Sequence, residues 1–500
     1  MKLFDANNIH QEKIESDVCI VGAGPAGISL AVKLRNSGLN VVIAESGGLK
    51  KNDRANDLNC LDIKSNFIYR DGESERNRQI GGTANLWTGR VVPFVFKESL
   101  DKEWEGLLEN VLPYYDDAFK TFGIDPSIKN NHQHNDGELY AYWAQKTERF
   151  NDKSHLFDKN NNVGVYYNLS CVGDPVFKEK EIQELSFMNR KQEKILIESH
   201  CFVFAMGTIE NVRLLLMIRE KLTEFQKCEL KNLGRFMMDH PRIWHGDVQR
   251  LTDESAISKY QIKRDRWGFY KTGVRNEPGN CRAYCNFMKS RSRLNTLIDF
   301  IPYESFQYSF RKLLAREKGV FKSFASQLLA WPLIRKRSRV NTILENYFND
   351  DPELNFNIMT YCEQRPREKN HLKLKNEKDK NGLPIPVLIN QMHKIELEEV
   401  LNFYSFLEDY LQRLNCRLTY DSEYLLNPVN YTDAAHLMGG TRYSNQSDRS
   451  VLEQDLSVKG IQNLHVSGSS VFPTGSVENP THLIVSISCY LAEVLIRKFK

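Results

Sequence analysis

The chain has 500 residues, 41% hydrophobic and 11% aromatic, ample for a large interior and long for one core, so two interwoven or consecutive domains are expected. Lys and Arg number 68 against 64 Asp and Glu, and a formal charge of +4 on a chain this size argues against nucleic acid as a main partner. Residues 1–16 show no apolar h-region or small-residue cleavage site, and no apolar run reaches the about 18 residues of a bilayer span, so a cytoplasmic location is expected. Ten cysteines show no paired spacing; Cys281 and Cys285 in CRAYC lack the second pair and nearby histidines of a zinc site, so reduced thiols and no metal are expected.

In chain order, DVCIVGA from Asp17 reads as a short buried strand of β-branched residues. A glycine turn follows, then an apolar-periodic helix ending on Gly38, then a second strand, NVVIAE. This is a βαβ unit. Residues 91–160 turn polar and irregular, with 151–164 reading as loop. VGVYYNLSC then opens a β-rich stretch, and 193–220 alternates, runs apolar through CFVFAMG and passes into a helix. NFNIMTYCEQRP and KNHLKLKNEKDKNGLPIPVLIN suggest sheet, followed by a long helix from Lys394 to Asn415. NLHVSGSS is a C-terminal strand, leading through VFPTGSVENP into a last apolar helix. The basic segment 310–340 carries Phe, Leu and Trp at helical spacings; surface helices packed on the rest of the protein are the expectation, with weak contact to a membrane surface as the alternative.

Gly22, Gly24 and Gly27 form G-x-G-x-x-G between the first strand and helix. The first glycine makes the tight turn, the second admits a pyrophosphate to the backbone, and the third lets helix and strand pack closely. The helix N-terminus offers N–H groups and a positive dipole end to phosphate. Glu45 ends the second strand about 20 residues on, where a carboxylate suits the hydroxyls of an adenosine ribose. The pattern points to a dinucleotide without choosing FAD or NAD.

Further motifs follow: RQIGGTANLWTGR (78–90), FAMGTIENVRLLL (204–216), NLGRFMMDHP (232–241), HLMGGTRYS (436–444) and NLHVSGSSVFPTGSVENPTHLIVSIS (463–488). In this order, spanning nearly the whole chain, they resemble the glucose–methanol–choline (GMC) family of FAD oxidoreductases, with the sugar- and sterol-acting bacterial branches closest in look. The resemblance implies an α/β fold (α+β overall): a Rossmann-like FAD-binding domain of residues 1–90, 161–245 and 426–500, interleaved with a sheet-plus-helices substrate-binding domain of 91–160 and 246–425. FAD would be held by Gly22, Gly24, Pro25, Ala26, Gly27, Glu45 and Ser46. Gly81, Gly82, Thr83, Asn85, Leu86, Trp87 and Thr88 would lie along the isoalloxazine. Ala205, Gly207, Asn211, Gly468, Ser469, Asn479, Pro480 and Thr481 would complete the cofactor site. Where pyranose oxidases bond the flavin through a histidine, this sequence has Leu86, so non-covalent FAD is expected.

Oxidising an alcohol by flavin takes a base at the hydroxyl while the carbon's hydride goes to N5. The resemblance places that pair at His436 and Asn479. An amide does not titrate near neutrality, so Asn479 would hold the substrate oxygen and His436 would accept the proton. His482 is the rival, expected to be packed rather than reactive, and with Glu363, Gln364 and Arg365 it is a candidate for substrate contact. His240 and His465 fall inside structural motifs and receive no catalytic role. The expected activity is oxidation of a CH–OH group of a sugar, polyol or similar small hydroxylated molecule, with the electron acceptor unassigned. The alternatives are a lyase using FAD structurally and a non-catalytic flavin-binding scaffold.

Overall fold

The structure, a computed structural model, describes residues 2–50, 53–69, 75–87, 89–94, 102–128, 138–143, 150, 162–251, 262–265, 268–275, 281–287 and 355–500. Thr88 and the segment 310–340 lie outside the described residues.

The βαβ unit forms as its sequence dictates. In Lys13–Val21 the run Val18 to Val21 is buried, and Val41–Glu45 is buried at every position, which is why both read as apolar runs rather than alternating ones. The two strands pair in parallel, Val18 opposite Val41 and Val21 opposite Ala44. Between them the helix Pro25–Leu34 starts with proline in its first turn and buries Ile28, Leu30, Ala31 and Leu34. It stops short of the expected Gly38, because the Ser37 hydroxyl donates to the Leu34 carbonyl at 2.7 Å and ends the ladder there.

Around this unit, among the described residues, stands a nine-stranded sheet in the order Lys2–Asp5, Val163–Tyr167, Val41–Glu45, Lys13–Val21, Lys194–Phe204, Glu181–Asn189 and Leu169–Cys171. Leu464–Val466 also pairs in parallel with Lys194–Phe204, and Val176–Lys178 antiparallel with Glu181–Asn189. Strands from both ends of the chain thus share one sheet, Lys2–Asp5 at its edge and Leu464–Val466 beside Lys194–Phe204. The last helix, Thr481–Lys498, packs against Pro25–Leu34 and Tyr115–Thr121.

Among the described residues an eight-stranded antiparallel sheet forms the other half, with Cys416–Thr419, Arg242–Arg250, Asn355–Cys362, Cys281–Phe287, Gly268–Arg275, Glu138–Trp143 and Arg90–Val91 in order and Ile262–Asp265 also paired with Gly268–Arg275. The long helix Lys394–Gln412 lays Val400, Phe403, Tyr404, Leu407 and Leu411 on its core beside Ile243, Val248 and Ile358. A small third sheet joins His371–Lys378, Pro384–Asn390 and Asp62–Ser65. The architecture is the mixed α/β arrangement expected from the sequence. Among the described residues no helix is long and apolar enough to cross a membrane.

Candidate active site

The three glycines of the first turn do different work. A Cβ on Gly22, whose φ is +105°, would sit 2.6 Å from the Ala205 carbonyl oxygen, and one on Gly27 would sit 2.0 Å from that of Gly22. Those two positions close the turn and press helix onto strand. A Cβ on Gly24 would meet nothing nearer than the Gly82 Cα at 4.0 Å, so the middle glycine faces open space, as a pyrophosphate approach requires. Gly82 belongs to the second glycine loop, which the Gly81 N–H ties to the Ala23 carbonyl at 2.8 Å. Glu45 accepts from the Ala23 N–H at 2.8 Å and the Gly47 N–H at 2.7 Å. Burial raises its carboxyl above the usual value, while those two N–H groups and Arg78 pull the other way.

A cavity of about 1390 Å³ begins at this turn and runs between the two large sheets. Of the expected residues, Gly22, Gly24, Pro25, Ala26, Glu45, Ser46, Gly82, Thr83, Leu86, Trp87, Ala205, Gly207, Gly468, Ser469, Asn479, Pro480, Thr481 and His436 line it. Gly27, Gly81, Asn85 and Asn211 stand behind the wall. The Asn85 amide donates to the Ile80 carbonyl at 2.9 Å; Asn211 accepts from the Met206 N–H at 2.9 Å and donates to the Ser470 hydroxyl at 3.0 Å. The Trp87 indole N–H is buried on the cavity side of the second glycine loop with no hydrogen-bond partner among the described residues. A glycine open to the cavity, a helix N-terminus beside it and a donor left for a ligand fit an elongated dinucleotide with a hydrogen-bonding ring system.

At the far end stands His436. Its Nδ1 lies 3.0 Å from Nδ1 of His240, the rings nearly perpendicular at 85°, and Nε2 of His240 donates to the Gly475 carbonyl at 3.3 Å. Burial, aided by the Arg282 cation, drives the His240 pKa down to about 3. Burial also holds His436 well below 6.5, with His240, Arg282 and Arg90 adding to the effect. Both imidazoles are therefore neutral at pH 7. The Asp239 carboxylate accepts from the backbone N–H of His240 at 2.6 Å and of His436 at 3.1 Å; burial first, and Asp433 next, push its pKa up to about 7. Ala435, just before the histidine, has a φ of +57°, a conformation few non-glycine residues hold.

Asn479 is held from the opposite sheet. Nη2 of Arg282 donates to its Oδ1 at 2.6 Å, and the Arg282 guanidinium lies 4.5 Å above the Tyr361 ring. With its oxygen engaged, the amide keeps its NH₂ for another acceptor. Neighbouring grips fix the same loop: Arg275 pairs with Glu478 at 3.1 Å, and Glu363 accepts the Ser476 N–H at 2.8 Å.

Those contacts revise part of the expected substrate set. Glu363 is turned to the backbone of the 474–479 loop and does not line the cavity. Gln364 is fully buried, accepting from the Asp239 N–H at 2.9 Å and donating to the Gln391 carbonyl at 2.9 Å. Arg365 pairs with Glu399. His482 packs between Tyr115 and Phe119, ring centroids 4.8 and 4.6 Å away, and is likewise absent from the cavity wall. His465 meets the Cys201 thiol at 3.4 Å. Conversely, His240, set aside as structural, touches His436, and Arg282 was not anticipated. The MDHP motif marked a buried histidine; nothing local in the sequence brings residue 282 to residue 479.

Residues 366–488 match the family model for GMC oxidoreductase, and residues 15–60 that for an FAD binding domain. Among solved structures, an R554A variant of Aspergillus oryzae RIB40 formate oxidase shares 14% identity and a TM-score of 0.57, over 97% of this chain and 98% of that one. Pyridoxine 4-oxidase from Mesorbium loti shares 10% identity and a TM-score of 0.57, over 96% of this chain and 98% of that one. No curated protein sequence matches the chain. The two family models, in chain order on a shared fold, support a GMC-type oxidoreductase. It is a flavoprotein with FAD as its cofactor, and none of these matches singles out the sugar- and sterol-acting branch.

Proposed function

We propose that the protein oxidises the CH–OH group of a small hydroxylated molecule such as a sugar or polyol, with His436 as general base and Asn479 as the donor that holds the substrate oxygen. The observation that carries this reading is the presence of both side chains on the wall of one cavity that starts at the glycine cradle, each with its inner atom already engaged. FAD, when bound, supplies the hydride acceptor. Gly24, the N-terminus of Pro25–Leu34 and the Gly468–Ser469 turn would hold its pyrophosphate and adjoining chain, Glu45 its adenosine ribose, and Trp87 an acceptor on the ring system. Leu86 offers no nucleophile for a covalent link, which supports dissociable FAD. In this reading residues 1–90, 161–245 and 426–500 bind the cofactor, and 91–160 and 246–425 cover it.

His436 is neutral, so it can take the hydroxyl proton as the carbinol hydrogen leaves. The Asn479 NH₂ supports the negative charge that grows on oxygen, and the Arg282 cation behind it adds to that support. Asp239, Asp433, Arg90 and Arg242, beside Tyr361 and Trp244, line the rest of the chamber and supply donors and acceptors for further hydroxyl groups. The test is an anaerobic screen of sugars, polyols and simple alcohols against the purified holoprotein, read as loss of flavin absorbance. Bleaching by at least one such compound is expected. Product formed without bleaching, or no response to any hydroxylated compound, would contradict the reading.

A further inference from the structure

A neutral imidazole carries one proton, on either nitrogen, and only the other nitrogen can accept another. The contacts of the second nitrogen decide which form is present. In the His240–His436 pair that choice is forced from outside. The Gly475 carbonyl can only accept, so at 3.3 Å the Nε2 of His240 carries its proton. His240 is fully buried and neutral, its pKa held near 3, so its Nδ1 has a lone pair. At 3.0 Å from that lone pair, Nδ1 of His436 must be the donor. The proton of neutral His436 is then on its inner edge, and Nε2, on the opposite ring edge, is free to accept.

We propose that His240 is a positioning residue which fixes the tautomer of His436, so that a lone pair rather than an N–H meets the substrate hydroxyl. The inference rests on the reading of His436 as base. It adds a second function for the same contact. When Nε2 takes the substrate proton, the Nδ1 proton of His436 can shift toward Nδ1 of His240, which spreads the charge over both rings. The Asp239 carboxyl, bonded to the backbone N–H of both histidines, lies against the pair as its acidic neighbour, and Arg282 and Arg90 oppose the charge. Because Gly475 stands in the loop that leads to Asn479, the same chain of bonds sets the spacing between base and amide.

The test is the ¹⁵N spectrum of the histidine-labelled, FAD-loaded full chain, with His436 signals assigned by their loss in His436→Gln. The expected result is a protonated Nδ1 and an unprotonated Nε2 on His436. In His240→Leu, which keeps bulk and removes the acceptor, the tautomers should mix and flavin reduction should slow about ten- to a hundredfold, the range for losing the outer partner of a functional imidazole. The substrate concentration dependence of reduction should stay the same. His240→Asn, whose Oδ1 can accept near the position of Nδ1, should restore most of the rate. A proton on Nε2 of His436 in the unmodified protein would overturn the proposal, as would His240→Leu with unchanged tautomer and rate. If the tautomer is as stated and no alcohol bleaches the flavin, the function falls while the lock stands.

Discussion

His436 and Asn479 are each completed by a residue far away in sequence, and the completion decides what each can do. The Arg282 guanidinium occupies the Asn479 oxygen and also disfavours a second cation on His436. The pH dependence follows with a definite sign. A base works when unprotonated, and its folded pKa lies well below 6.5, so anaerobic flavin reduction should stay level from pH 8 through 6.5 and fall only in more acid solution. Burial comes first, and His240, Arg282 and Arg90 press in the same direction, so together they hold this limb at low pH. Arg282→Gln removes one cation, and the acid limb should move to higher pH while the maximal rate drops. A limb that stays in place in that variant would show that Arg282 does not set the base's charge. His436 and Asn479, which line one cavity, stood out in the sequence as candidates because each sits within a contiguous motif. Arg282 did not, because it reaches Asn479 through strand pairing that sets Cys281 opposite Cys362 and Arg282 opposite Tyr361.

Among the elements, the first turn shows how far pattern alone carries. The βαβ unit was legible from buried β-branched runs, a glycine turn and a proline start, all local signals. The helix end was misplaced by a few residues because a serine side chain, not the expected glycine, closes it. The glycine spacing also assigned separate tasks, and two substitutions separate them. Gly24→Ala meets no atom closer than 4.0 Å and keeps an ordinary backbone (φ −82°, ψ −172°), so the FAD-free protein should melt as before while FAD binds more weakly. Gly27→Ala drives a methyl to 2.0 Å from a backbone oxygen, so the fold itself should lose about 1–3 kcal/mol, the usual cost of overpacking. Thermal melts with and without FAD, and FAD dissociation constants, distinguish the two. Equal melting losses in both variants would contradict the division of labour.

At the scale of the whole molecule, one largely enclosed carboxylate on the cavity wall ties together three parts. Glu210, on the helix Thr208–Arg219, accepts from Arg76 at 3.0 Å and pairs with Arg78 at 2.9 Å, both at the entry to the second glycine loop, and with Arg213 at 3.4 Å. Arg213 continues to Asp379 at 2.8 Å and the Pro384 carbonyl at 2.8 Å, on the small third sheet. Three cations overcome the burial penalty and hold Glu210 down to about 2, while burial takes Arg76 down to about 10, still charged at neutral pH. Since the folded pKa lies below the ordinary 4.5, this stabilisation is present above about pH 4.5 and is lost as pH falls toward 2. At full strength it is about 3 kcal/mol. Glu210→Gln should cost about 3–5 kcal/mol at pH 7, because it strands buried cations, and should flatten the stability profile between pH 4.5 and 2. Denaturant titrations across that range check it; an unchanged slope would mean that the carboxylate is not the tie.

Of the two proposed parts, the sequence motifs mark only the cofactor-binding one. The covering sheet carries no such mark, because strands such as Glu138–Trp143 and Gly268–Arg275 pair across more than a hundred residues of intervening sequence and neither lies in a motif. That difference explains why most residues named for the cofactor from motifs line the cavity, whereas Glu363 and Gln364, named for substrate contact, do not.

The most direct test of the account is stopped-flow reduction of the bound flavin, without oxygen, by whichever alcohol bleaches it, in the unmodified protein and in His436→Ala. The account predicts that the variant keeps its FAD and its yellow colour and is reduced at least about a hundredfold more slowly, the loss expected when a general base is removed. Reduction of the variant at the unmodified rate would contradict it.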